Sequence, residues 1–354
     1  MRLWPCARLA RIAVISVIVG ACAGSPTRGE VVSSATQAVT PTRATTAAPN
    51  TPVPAGQPLG RGYHLLLDLG DRGVWMFGGE TAGPRLGGRE LMDTWTYQRS
   101  SGWSERGRGS APTATGDAIA YDAASGRVVV LAFEGPSYES VSETWVYDVS
   151  ADRWERRALG AGPLAVHGAR AAYAAKADRL IVLDEFGETW AYDVDTDTWT
   201  KRAPASHPPG RRYYAMAYDE AADRVILFGG LGSGDTWAYD FASNAWKDMA
   251  PPTSPSARLY HAMAYDKKTA RVILFGGAGT GEQPLGDTWS YDYRANTWTE
   301  LRPQTAPSAR AWHSMAYDAV GGSIVLFGGG TDRAHFGADT WIYDPARNAW
   351  SPAP

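Results

Sequence analysis

The residues of this chain that could carry chemistry are few. Asp193, Asp195 and Asp197 alternate in Asp-Val-Asp-Thr-Asp, the spacing that opens a calcium loop, but the glycine and the distal glutamate that complete such a loop around the ion are missing. His261 and His313 stand 52 residues apart at equivalent places in neighbouring repeats, and two imidazoles are good metal ligands. Repeats of this length separate equivalent positions too far for shared ligation, so neither group is expected to hold a metal. No G-x-S-x-G, H-E-x-x-H or phosphate-binding loop occurs, and neither a cofactor nor a catalytic role is expected. With 34 Lys and Arg against 37 Asp and Glu, the formal charge is −3. Nucleic-acid binding would call for a basic face and is not expected.

The elements that would position any site are read from a repeated phrase. GDTWAYDFASNAW (234–246) recurs with small changes five more times. Its first Trp falls at 95, 145, 190, 237, 289 and 341, and its second at 103, 154, 199, 246, 298 and 350. Intervals of 45 to 52 residues indicate a propeller or solenoid. One unit divides into four strands: YHAMAYD (260–266), the continuous apolar run RVILFGG (271–277), DTWSYD (287–292) and a last strand around Trp298. These are called A to D. A run without polar alternation suits a strand covered on both faces. Asn244, Asn296 and Asn348, with Asp152 and Asp197 in two other units, stand two before the second Trp, where a hairpin needs left-handed backbone.

An Arg before strand A, an apolar strand ending in Gly-Gly, then W-x-Y-D and a second Trp about nine residues on resemble the kelch repeat over residues 61–352. The resemblance implies an all-β, six-bladed propeller with four antiparallel strands per blade, the repeats spanning about 61–110, 111–162, 163–207, 208–254, 255–306 and 307–354. Units 2 and 3 depart from it, with Ala132-Phe133 and Asp184-Glu185 in place of the Gly pair. No strand is left over for exchange between the ends, so blades 1 and 6 are expected to pack directly. The B–C loops vary from two residues (186–187) to thirteen (80–92), which makes their face the expected recognition surface.

By the same resemblance, residues leading into strand A line the mouth of a central channel. Arg211, Arg258 and Arg310 would then read acidic groups beside Tyr214, Tyr260, His261, Trp312 and His313; equally, the arginines pair with blade-edge carbonyls or nearby Asp, and the aromatics pack between blades. Units 2 and 3 hold Ala114 and Val166 there, so a groove near blades 4 to 6 is expected. Some kelch propellers are enzymes. Oxidases similar to galactose oxidase need a Cys cross-linked to Tyr, and Cys6 and Cys22 both precede the repeats; an acidic-sugar epimerase or mutarotase would need an acid such as Asp184 or Glu185.

The start of the chain reads as an address. Arg2, Arg8 and Arg11 precede about ten apolar residues, a signal-peptide core too short to span a bilayer. Val19-Gly20-Ala21-Cys22 resembles a lipobox, which implies cleavage after residue 21 and diacylation of Cys22. Residues 22–60, rich in Pro and Thr, read as a disordered tether averaging roughly 35 Å end to end. The expectation is a protein exported and lipid-anchored on the extracytoplasmic side of a bacterial membrane, where it binds a protein or a cell-envelope glycan.

Overall fold

The computed structural model describes residues 56–353 apart from 84–87, 108–111, 113–115, 134–141, 158–161, 164–167 and 169. The expected signal peptide, Cys22 and the tether as far as residue 55 lie outside the described residues, as do Ala114 and Val166. Pro58 is already buried and the Leu59 carbonyl accepts from Arg61 Nε at 3.0 Å, so the folded chain begins slightly before residue 61.

Six four-stranded antiparallel sheets follow one another, spanning 65–106, 116–156, 170–201, 215–248, 262–301 and 314–352. Each keeps its strands in sequence order, and neighbouring A strands meet around the centre, making a six-bladed propeller with A innermost. Blade 4 is typical, with Ala215–Asp219, Arg224–Phe228, Thr236–Asp240 and Ala245–Asp248. Blade 6 adds a small hairpin, Gly330–Asp332 with His335–Phe336, in its B–C loop.

The core is divided among the six seams between blades. Ile226 and Phe228 point into the seam with blade 5, while Val225 and Leu227, one residue out of phase, point into the seam with blade 3. That is why strand B is apolar at every position: both its faces are interior. A blade alone would leave both faces wet, so the ring is the smallest unit that buries them.

The recurrent Thr, Tyr, Asp and Asn of the repeated phrase each have a task in this packing. Thr236 Oγ1 accepts a hydrogen bond from the indole of Trp298 in blade 5, and the same Trp-to-Thr bond, 2.8–3.2 Å long, crosses all six seams. Tyr239 donates to Asn244 at 2.8 Å, and Asn244, at φ 51°, donates in turn to the Arg202 carbonyl at the end of blade 3. Asp240 pairs with Arg224 at 3.0 Å and accepts from backbone N–H groups in the C–D turn. The phrase is therefore scaffold, its recurrent residues satisfying polar groups or filling a seam.

The Gly pair is explained by close approach to the neighbouring blade at its first member and to its own blade's strand A entry at its second. A Cβ on Gly276 would lie 2.7 Å from the Arg310 carbonyl oxygen and 3.1 Å from Cε1 of His313, both in blade 6. One on Gly277 would meet Cβ of His261 at 2.7 Å. Both glycines also have positive φ, 61° and 100°, which L side chains resist.

Closure between the last blade and the first repeats the internal seams. Trp103 in blade 1 donates to Thr340 in blade 6, and Gly329 N–H donates to the Arg61 carbonyl just as Gly277 N–H donates to that of Arg310. Each terminal sheet is made wholly from its own repeat, so blades 1 and 6 pack directly, as expected.

Candidate functional site

The three arginines expected at the mouth are committed to the fold. Arg211 forks onto Asp235, with Nη1 and Nη2 at 2.5 and 2.9 Å from the two carboxylate oxygens, and also donates to the Gly229 carbonyl at 3.1 Å. Arg258 treats Asp287 and Gly276 in the same way, and Arg310 treats Asp339 and Gly328 likewise. All three are at most 5% exposed, so a ligand could reach them only by dismantling the pair. A fourth clamp, Arg61 on Asp93 and Gly78, completes the set and is not among the residues singled out from the sequence. The clamp is planar and bidentate, which suits guanidinium and not ammonium.

Burial alone would raise Asp235, but hydrogen bonds from Arg211, Ser233 and Trp237 and the nearby Arg211 charge outweigh it and hold the carboxyl at about 2. Asp93, Asp287 and Asp339 move in the same direction by the same balance. The indole of the first Trp donates to each of these carboxylates at 2.7 Å.

Tyr214, His261 and His313 are also interior. Tyr214 is 1% exposed and donates its hydroxyl to the Leu183 carbonyl of blade 3. His261 and His313, joined by His64 of blade 1, wedge into successive seams edge-on to Phe228, Phe275 and Phe327. None of the six ring nitrogens has a hydrogen bond of good geometry; the nearby carbonyl of the facing Phe favours the charged ring only slightly. Burial, reinforced by the adjacent arginine, drives His313 down to about 3 and His64 and His261 well below the usual histidine range. Among the described residues no three metal-ligating side chains converge.

Tyr260 and Trp312, at the entry to strand A, belong to one aromatic cluster. With Tyr213, which follows Arg211 at the same entry, and Tyr63, which sequence reasoning passed over, they bring aromatic rings from blades 4, 5, 6 and 1 together at centroid distances of 4.4 to 6.2 Å. Phe336 of the blade 6 hairpin packs on the edge of this rosette, 6.0 Å from Trp312 and 6.4 Å from Tyr63. All four main aromatics have left-handed backbone, φ 58–62°. A relay of backbone hydrogen bonds ties them, from Tyr63 N–H to Trp312, Trp312 to Tyr260, Tyr260 to Tyr213, and Tyr213 to Gly168.

Arg333, from the same hairpin, lies 5.8 Å from the ring centres of both Tyr260 and Trp312 and donates to the Tyr260 hydroxyl at 3.1 Å. The Trp312 indole N–H is buried with no acceptor among the described residues. Tyr63, Tyr213 and Arg333 remain half-buried, so the loop-rich face presents aromatic rings and a cation, while the Trp312 indole N–H is not exposed. The signal in the sequence was the aromatic two residues after each clamp Arg, present in all four clamped blades.

The acids considered for sugar chemistry have local partners. Asp184 accepts from the Phe186 and Glu188 backbone N–H groups and from the Trp190 indole, replacing the clamp Asp that blade 3 lacks; Glu185 pairs with Arg212. Asp193 caps its turn and pairs with Arg179 at 2.6 Å, and Asp197, at φ 53°, accepts from Tyr192. The alternating aspartates therefore build a hairpin.

The family model of the KLHDC2/KLHL20/DRC7 Kelch-repeats domain matches residues 183–354, the end of blade 3 and all of blades 4 to 6. A search of curated proteins finds no match. The matched residues carry the clamp, the Gly pair and the Trp-to-Thr bond together, and the Trp-to-Thr bond alone recurs at all six seams of the ring. This chain is a kelch-repeat β-propeller protein.

Proposed function

We propose that this protein is a non-catalytic scaffold, exported and anchored through a diacylated Cys22 on the extracytoplasmic side of a bacterial membrane, that binds a protein or envelope glycan with the loop-rich face. Kelch propellers are typically protein-interaction scaffolds, which supports the binding role. The observation that carries the choice of face is the rosette under Arg333. Trp, Tyr and Arg dominate the energy of protein interfaces, and Tyr63, Tyr213 and Arg333 are the partly exposed members of this cluster. The repeated polar residues are committed to the scaffold, so specificity falls to residues that differ between blades. Export and anchoring rest on the sequence of residues 1–22.

A photo-crosslinking residue at Tyr213, in the producing cell's envelope, is expected to yield a discrete polypeptide adduct, or a glycan adduct if the partner is a sugar. A matched probe at Lys201, on the outer strand of blade 3, serves as the control. Adducts from position 201 and none from 213 would remove the loop-rich face as the site. Palmitate labelling should disappear in Cys22→Ala, and its persistence would sink the anchor.

A further inference from the structure

The other end of the channel is built differently. A cavity of about 630 Å³ opens on the face of the A–B turns, walled by the inner A strands of all six blades. That is the size of a small-molecule site. The next-to-last residue of strand A is Tyr in five blades, at Tyr121, Tyr173, Tyr218, Tyr265 and Tyr317, and all five line the cavity; blade 1 puts Asp68 at the equivalent register.

Charge at this mouth is predominantly acidic among the described residues. Asp68, Asp71, Asp122, Asp178 and Glu220 line it with a single base, Lys267, for a formal charge of −4. Lys267, from the blade 5 turn, reaches both ways across the opening: its ammonium lies 2.9 Å from Glu220 of blade 4 and 3.4 Å from Asp68 of blade 1. It also stands 5.9 Å from the centre of the Tyr317 ring. A primary alkylammonium is thus already held at this mouth by two carboxylates and an aromatic face. Below it, the inner edges of the A strands form the wall, and edge strands present carbonyl acceptors that an ammonium can use.

We propose that this cavity is a binding site for a linear aliphatic polyamine. One ammonium takes the Asp68 and Glu220 carboxylates in place of Lys267, the methylene chain lies against the Tyr rim and the Ala and Met of the channel wall, and a second ammonium reaches the strand-edge carbonyls. The observations oppose an anionic ligand, for which one lysine would have to outweigh five carboxylates. The site is on the opposite face from the rosette and independent of it.

Three probes of equal length separate the chemistry: 1,8-diaminooctane, octane-1,8-diol and octanedioate, titrated calorimetrically into the full chain at low salt. The diamine is expected to bind saturably below about 1 mM and to weaken as salt screens it, while the diol and the diacid do not bind. Glu220→Gln, at an exposed position that leaves folding intact, should weaken the diamine about tenfold. Lys267→Ala removes the competing ammonium and should tighten it about tenfold. An anion site predicts the reverse, with octanedioate binding lost in Lys267→Ala, and that result overturns the proposal. Equal binding of the diol, no saturable binding of the diamine, or no change in either variant would each overturn it too.

Discussion

Acidification from pH 7 to 5 should destabilise this propeller by an amount that His64, His261 and His313 set. Each is fully interior and kept neutral, first by burial and then by a clamp arginine: Arg61, Arg258 and Arg310 respectively, with Arg170 adding to the effect on His64 and His261. Their folded pKa values lie below the unfolded value of about 6.5, so as pH falls through 6.5 the unfolded chain takes up protons that the folded chain refuses. The stability these groups give is complete above that pH and is lost progressively until the folded rings protonate, near pH 3 for His313. One histidine costs about 2 kcal/mol between pH 7 and 5, and three cost about 6, a large share of a typical folding free energy. Asp68 and Asp184, raised by burial, have the opposite sign and return some stability at the acid end. Urea unfolding followed by Trp fluorescence at pH 7, 6 and 5 measures the slope. His261→Gln cannot be protonated and should remove about one third of it. A loss below about 2 kcal/mol in the parent, or an unchanged slope with all three histidines replaced, would refute the reasoning.

Four further outcomes follow from the scaffold. Asp235→Ala strands the buried Arg211 charge and should cost about 3–5 kcal/mol in chemical denaturation, whereas Arg211→Leu combined with Asp235→Leu should recover much of it. Gly276→Ala places a methyl 2.7 Å from the Arg310 carbonyl at positive φ and should lower the unfolding temperature by several degrees, more than Gly281→Ala, which meets open space. Thr236→Val leaves the Trp298 indole without an acceptor and should cost about 1–3 kcal/mol. Thr340→Val, at the seam that closes the ring, should cost a similar amount, and a negligible effect there would mean that blades 6 and 1 are held by something other than the shared relay.

Much of this fold was legible because the sequence repeats its solution. The expected B strand at 271–277 is Arg271–Ala278, and the Asn or Asp two before the second Trp is at positive φ in every blade but the first, where Gly102 opens strand D. The task of the arginines was harder to read. Clamp partners lie 24 to 32 residues apart in sequence, and no local pattern distinguishes an arginine aimed inward at Asp235 from one aimed at a ligand. Arg61 was missed because its blade ends strand A in Leu-Leu-Leu-Asp, without the Tyr-Asp that marks the register elsewhere. The channel was illegible for another reason: strand A sends alternate side chains into two different seams, Ala217 with blade 5 and Met216 with blade 3, and the cavity is walled by the strand edges with the flanks of those side chains.

The clamp and the rosette are parts of one device. Each left-handed aromatic follows a clamp Arg by two residues, and such backbone costs a non-glycine residue about 1–3 kcal/mol unless its surroundings enforce it. Arg258 supplies that enforcement: its guanidinium is fixed on Asp287 and its carbonyl accepts from Gly230 N–H of blade 4, so the chain enters Tyr260 already pinned. Blade 3 tests this logic from the other side. It has Val166 where the clamp Arg would be and Glu188 where the Asp would be, and at the aromatic position it carries Gly168, at φ 73°, where left-handed backbone needs no enforcement. The Gly168 carbonyl still accepts the Tyr213 N–H, so the backbone relay continues although the aromatic side chain does not. The rosette is therefore confined to blades 4, 5, 6 and 1 because only those blades hold a side chain in that conformation. A clamp variant that folds, such as the double leucine at 211 and 235, should consequently loosen Tyr213 and weaken binding at the loop-rich face without touching the partner.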